Sequence, residues 1–256
     1  MTLVLRDDAQ RVATLTLNRP DKLNALNPAI FIELRAHLDA LRTDDGVDCV
    51  VLTGAGRSFC AGHDLGSIAA GESGPSRHFE AETIDQLERL PQPTIAKIRG
   101  HCLTGGLELA LACDLLVAAS SARLGDTHGQ WGLVPGWGMS VRLPERVGQS
   151  TAKELTFTSR QLDGSVAASI GLVDRSVSDD DLDSVVEELA REIVANSAGT
   201  NRICKSLLAM RGSMSRDAAL AFERAMPFGR PTDRRERMSR FEQRRNAGDP
   251  SARRAD

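Results

Sequence analysis

One carboxylate, Glu108, stands in an otherwise apolar helix-forming run, Leu107-Glu108-Leu109-Ala110-Leu111-Ala112, directly after the pair Gly105-Gly106. Glycine adopts backbone turns that other residues resist. The first N–H groups of a helix lack intrahelical partners and carry partial positive charge. A turn built this way can aim the Gly105 N–H at a developing oxyanion, with Glu108 in the first helical turn beside it. The chemistry that suits this layout is polarisation of an acyl carbonyl while a carboxylate moves a proton. Standing alone, Glu108 would read as an acid that merely complements the helix dipole, and the pair of glycines as an ordinary tight turn.

The elements around that turn are legible in outline. Residues 2–5 and 12–17 alternate apolar and polar side chains with Asp7-Asp8 between them, the pattern of a β-hairpin. Asn27 can cap a helix that has Pro28 at its first position, after which Ile30, Leu34, Leu38 and Leu41 recur at helical spacing. Residues 48–53 form a short valine-rich run expected to be a buried strand, and residues 54–62 are loop-like. Gly71-Glu72-Ser73-Gly74-Pro75 breaks the next helix and predicts a mobile surface loop. Pro91 and Pro93 bracket a turn before the strand at 94–98, and residues 115–118 read as another strand. This alternation predicts an α/β fold built of stacked ββα units. From Ser150 onward the expectation is mostly helix. Leu182, Val185, Val186, Leu189 and Ile193 share one face, further helices follow at 200–210 and 215–226, and an arginine-rich stretch at 230–245 has Phe241 as its apolar anchor.

The chain of 256 residues, 41% hydrophobic and 26% charged, fits one globular core with a small appendage. A formal net charge of -3 gives no global pull toward nucleic acid or a membrane surface. The five cysteines form no C-x-x-C pair, and an odd number without a disulfide framework favours a reducing compartment, the cytoplasm. No signal peptide is apparent, and no apolar run is long enough to span a bilayer. His63, His78, His101 and His128 lack the close pairings of a zinc site, so no metal is expected. Gly54-Ala55-Gly56-Arg57-Ser58-Phe59 has phenylalanine where a dinucleotide fingerprint needs its third glycine. A nucleophile elbow is absent, as is any helix-turn-helix or RRM pattern.

Four motifs carry a family resemblance. Gly105-Gly106-Leu107-Glu108-Leu109-Ala110-Leu111-Ala112-Cys113-Asp114 resembles the signature of the enoyl-CoA hydratase/isomerase (crotonase) family. Ser58-Phe59-Cys60-Ala61-Gly62-His63-Asp64-Leu65, Asn18-Arg19-Pro20-Asp21-Lys22-Leu23-Asn24-Ala25-Leu26 and Gly132-Leu133-Val134-Pro135-Gly136-Trp137-Gly138 match in the family's order and spacing. The resemblance implies a crotonase-like spiral of ββα units over residues 1–195, and a C-terminal helical region, residues 196–256, that closes the site and builds a homotrimer or homohexamer. It implies an acyl-CoA thioester substrate with no separate cofactor, because coenzyme A enters as part of the substrate. In that picture Ala61 and Gly105 supply the oxyanion-hole N–H groups, and Glu108 moves the proton or activates water. Lys22, Leu23 and Ala25 grip the coenzyme A end, while Gly62, His63, Asp64 and Leu65 line the substrate site, Asp64 also capping the next helix. Arg240, Arg244 and Arg245 could meet the coenzyme A phosphates or form a solvated face.

His128 is the departure. Counting along the family pattern from Glu108, the second catalytic glutamate falls at His128 in Leu124-Gly125-Asp126-Thr127-His128-Gly129. Histidine transfers protons at neutral pH, and Asp126 could orient it or substitute for it; a histidine that only shapes the pocket is the plain reading. The expected activity is therefore that of an enoyl-CoA hydratase-like lyase of fatty acid metabolism. Isomerisation, decarboxylation, thioester hydrolysis and non-catalytic acyl-CoA binding are the alternatives.

Overall fold

The structure, a computed structural model, describes residues 2–247. It opens with a hairpin of β1 (Val4–Ala9) and β2 (Val12–Leu17), antiparallel with Ala9 opposite Val12. The turn lies later than the sequence suggests. Asp7 and Asp8 belong to β1, and Gln10 and Arg11 make the reversal with left-handed φ values of 50° and 65°. Two consecutive left-handed residues give a turn whose twist matches the flanking strands. Arg6 explains how charges sit in this strand, pairing with Asp8 at 2.6 Å and with Asp44 at 2.7 Å. Helix α1 (Pro28–Leu41) begins as its sequence predicts: the Asn27 side chain accepts from the Ile30 N–H at 3.1 Å, and Ile30, Phe31, Leu34, Leu38 and Leu41 are buried.

Strands β3 (Cys49–Gly54), β4 (Thr94–Ile98), β6 (Leu115–Ala119) and β9 (Arg175–Val177) extend the hairpin into a six-stranded sheet of order β1-β2-β3-β4-β6-β9. Every pairing after the first is parallel. Parallel strands covered on both faces read as continuous apolar runs, as Cys49, Val50, Val51 and Leu52 do. Between β3 and β4 come α2 (Leu65–Ala69) and α3 (Phe79–Glu88). Between β4 and β6 come β5 (His101–Leu103) and α4 (Gly105–Leu111). Then β7 (Arg123–Gly125), α5 (Met139–Thr158), β8 (Leu162–Asp163) and α6 (Gly164–Ser169) precede β9. Strands β5, β7 and β8 form a second, three-stranded sheet. Isolated parallel bridges join Leu26 to His63 and Cys60 to Cys102. The mixed α/β alternation is the expected one. The short β8 and β9 depart from the helical reading after Ser150, because two or three residues carry no periodic signal and their pairing is set by β7 and β6.

The chain divides into two compact units, the first ending at Ile193 and the second beginning at Val194. The buried apolar core lies in the first, with α7 (Leu182–Ala195) contributing Leu182, Val186 and Leu189. The second contains α8 (Ala198–Arg211), α9 (Arg216–Arg224) and α10 (Arg234–Asn246). Ser197 and Ser215 cap α8 and α9 through the Thr200 and Ala218 N–H groups, yet none of these three helices has a buried residue. The last part of the C-terminal helical region, residues 248–256, lies outside the described residues. Among the described residues, no helix is long and apolar enough to cross a membrane.

Candidate active site

The start of α4 is shaped by an unusual residue before it. Thr104 has φ 52° and ψ -117°, a conformation that a β-branched residue rarely adopts. It is held there by its N–H to the Gly125 carbonyl at 2.9 Å and by its hydroxyl against that of Thr127. The chain then enters the helix at Gly105, whose N–H has no intrahelical acceptor. Both glycines are required by close approach. A Cβ on Gly105 would lie 2.5 Å from the Trp137 ring, and one on Gly106 2.5 Å from the Cys60 carbonyl oxygen.

The second proposed donor needs correction. The Ala61 N–H donates to the Leu23 carbonyl at 3.0 Å and is therefore engaged. At the Leu26–His63 bridge, the Leu26 N–H donates to Gly62 and the Asp64 N–H to Leu26, both at 2.8 Å. Those two bonds flank His63 and leave its own N–H facing the other way. That nitrogen is 3.5 Å from where a Gly105 Cβ would stand. The backbone donor beside Gly105 is thus His63, two residues on from the alanine that the motif suggested.

Glu108 is 1% exposed and well held. Its Oε1 accepts from the Trp137 N–H at 2.9 Å and the Met139 N–H at 3.1 Å. Its Oε2 lies 3.7 Å from His128 Nε2. Burial pushes the Glu108 carboxyl above the ordinary glutamate range, and the two N–H groups and the imidazole offset this only in part. On the far side of the ring, His128 Nδ1 is 2.6 Å from Asp126 Oδ1, which also accepts the His128 N–H at 3.2 Å. Burial alone would raise the Asp126 carboxyl, but these bonds from His128 outweigh it and hold the group below the usual aspartate range. An ionised Asp126 places the proton of a neutral imidazole on Nδ1 and turns Nε2 toward Glu108. Asp126, His128 and Glu108 therefore form one row.

Segment 132–138 supplies the Trp137 N–H, and Arg142 of α5 fixes it. The guanidinium donates to the Trp137 carbonyl at 2.8 Å and pairs with Asp85 and Glu88 of α3, each at 2.7 Å. Sequence reasoning gave no role to Trp137, Met139, Arg142 or Thr104, although Trp137 lies within one of the four motifs. The first two act through backbone N–H groups, which have no residue-type signature, although the sequence Thr104-Gly105-Gly106 marks the turn.

A cavity of about 450 Å³ opens beside this row. Lys22, Leu23, Ala25, Ala61, His63, Asp64 and Leu65 are among its walls, with Thr104 and Thr127 at the site end. Lys22 ends a three-ten turn, after which Leu23 and Asn24 are left-handed at φ 49° and 56°. Asn24 is a buried buttress, its amide donating to the Ala55 and Ser58 carbonyls at 3.0 and 2.7 Å. Gly62 has φ 106°, and a Cβ there would stand 3.0 Å from the Leu103 carbonyl oxygen. Asp64 caps α2 through the Gly66 and Ser67 N–H groups and pairs with Arg19 at 2.9 Å, so its carboxylate is structurally committed. The neighbouring Cys60 thiol is pushed up to about 12 by burial, which keeps it out of the chemistry.

Comparison with known proteins follows the same lines. The family model for enoyl-CoA hydratase/isomerase matches residues 7–248. The chain is 35% identical to the short-chain-enoyl-CoA hydratase of Clostridium acetobutylicum over 86% of each chain. It is 32% identical to the 1,2-epoxyphenylacetyl-CoA isomerase of Escherichia coli over 94% of this chain and 95% of that one. The crystal structure of an enoyl-CoA hydratase from Bacillus anthracis aligns with a TM-score of 0.90 at 34% identity, covering 95% of this chain and 97% of its own. With a crotonase-type α/β fold and a family match over most of its length, the chain belongs to the enoyl-CoA hydratase/isomerase family.

Proposed function

We propose that this enzyme adds water across the double bond of a 2-enoyl-CoA thioester. The Gly105 and His63 N–H groups hold the thioester oxygen, and the Lys22-Leu23-Ala25 wall receives the coenzyme A end. Water sits against Glu108 Oε2 and attacks C3. One water proton passes to Glu108, and the electron pair of the double bond moves onto the thioester as an enolate. His128, as imidazolium supported by Asp126, gives the Nε2 proton to C2. Closure of the 3.7 Å between Glu108 Oε2 and Nε2 to hydrogen-bond distance lets the proton pass from Glu108 to Nε2 and restores both groups. Fixed N–H donors aimed at an oxyanion are each worth about 2.7–4 kcal/mol in transition-state stabilisation. A positioned acid or base adds about 10²- to 10⁴-fold.

The observation that carries this reading is the row Asp126–His128–Glu108, in which a buried carboxylate lies 3.7 Å from an imidazole that a second buried carboxylate holds. A panel of acyl-CoA thioesters incubated with the protein, with products read by mass spectrometry, tests it. A 2-enoyl-CoA that gains the mass of one water supports hydration. An isobaric product, loss of carbon dioxide, or free coenzyme A would each assign a different reaction, and binding without any product would mark a non-catalytic protein. We further propose assembly as a trimer or a dimer of trimers, with exposed apolar side chains of the C-terminal helices, such as Leu208 and Phe241, covered by neighbouring copies.

A further inference from the structure

Trp137 has a side chain that the proton transfers above do not use. Its backbone N–H and carbonyl are spent on Glu108 and Arg142. Its indole packs edge-on against Phe31, with ring centroids 5.0 Å apart and planes at 69°, and lies tilted over the His63 imidazole at 4.8 Å and 36°. Two carbons of its six-membered ring stand 2.5 and 3.0 Å from the position of a Gly105 Cβ, and the His63 nitrogen is 3.5 Å from the same point. The indole thus stands beside the two N–H groups, on the side to which a Gly105 Cβ would point. Phe31 behind it is fully buried in α1, so the ring cannot move toward α1 without disturbing the core. A thioester whose oxygen is held at Gly105 and His63, and whose C3 lies by Glu108, brings the next carbons of its acyl chain against this ring.

We propose that Trp137 closes the acyl end of the site and restricts the enzyme to short-chain acyl-CoA thioesters. The inference rests on the acyl-CoA reading above. In an open apolar channel each further buried methylene tightens binding about fourfold. Against a packed indole that gain disappears, because added carbons must displace the ring or turn back into water.

Binding of coenzyme A and of butyryl-, hexanoyl- and octanoyl-CoA, measured by isothermal calorimetry, tests this with saturated thioesters that cannot be hydrated. The wild-type protein should bind butyryl-CoA most tightly and octanoyl-CoA about tenfold or more weakly. Trp137→Ala, which leaves the backbone N–H on Glu108 in place, should reverse the order, with octanoyl-CoA tighter than butyryl-CoA by up to about 250-fold, about fourfold for each of four added methylenes. Trp137→Phe fills part of the same space and should fall between. Wild-type affinity that rises from butyryl to octanoyl overturns the proposal, whether or not either variant folds. A folded Trp137→Ala protein that keeps the wild-type order also overturns it. If neither coenzyme A nor butyryl-CoA binds the wild-type protein, the acyl-CoA reading itself fails, and the proposal with it.

Discussion

Glu108 and Asp126 are two buried carboxylates pushed in opposite directions by what they touch. The Glu108 carboxyl is raised by burial, so its ionisation opposes folding, and its contribution to stability is lost as pH rises through the folded value. Glu108→Gln removes that cost along with the base. It should lower hydration about 10²- to 10⁴-fold while leaving butyryl-CoA affinity and neutral-pH thermal stability no lower than wild type. A variant that hydrates at the wild-type rate removes Glu108 from the mechanism. Asp126 lies below the ordinary range, so its stabilising contribution is present above the unfolded value and lost as pH falls through the folded one. Asp126→Asn should therefore unfold at lower urea than wild type at neutral pH, with the gap closing in acid; a gap that stays constant with pH would contradict the ionised pairing with His128. Glu108 and His128 stand out in the sequence because acid–base capacity is in the residue type, and Gly105 because the glycine pair marks a turn; their roles belong to the proposed mechanism. The His63 N–H was not legible: which backbone group points inward depends on the Leu26 bridge, and the Ala61 N–H is taken by Leu23.

At the scale of elements, the turn into α4 is set by approach distances. Gly106→Ala would press a methyl group 2.5 Å from the Cys60 carbonyl oxygen, and overpacking of this kind typically costs about 1–3 kcal/mol. Gly136→Ala has no atom within 4 Å of the added carbon and should change stability by less than about 0.5 kcal/mol. Chemical denaturation of the two variants checks the contrast, and equal losses would refute it. The cap of α1 and the strand at Thr94–Ile98 could be read from Asn27-Pro28 and from an apolar run after a proline turn. The hairpin turn at Gln10–Arg11 could not, since neither residue is a usual left-handed one. Strands β8 and β9 exist only through their partners.

For the whole molecule, helices α8, α9 and α10 bury no residue, and Leu208 remains 75% exposed. Light scattering at micromolar concentration should report a trimer or a multiple of it; a monomer would reject the assembly proposed from the family resemblance. The spiral itself came from that resemblance and not from periodicity, because alternating strands and helices are compatible with several α/β layouts.

The pH dependence of kcat/KM for crotonyl-CoA hydration, in the wild-type enzyme and in His128→Ala, tests the central claim most directly. Glu108 must be ionised to take a proton, so the wild-type rate should fall in acid along a limb displaced above the ordinary glutamate range. His128 must be protonated to give one, so the rate should also fall as pH rises. His128→Ala should lose the alkaline limb and most of the rate, while His128→Glu keeps hydration and loses the imidazole dependence. A His128→Ala enzyme with the wild-type pH profile and nearly the wild-type rate would make His128 a pocket wall and contradict the account.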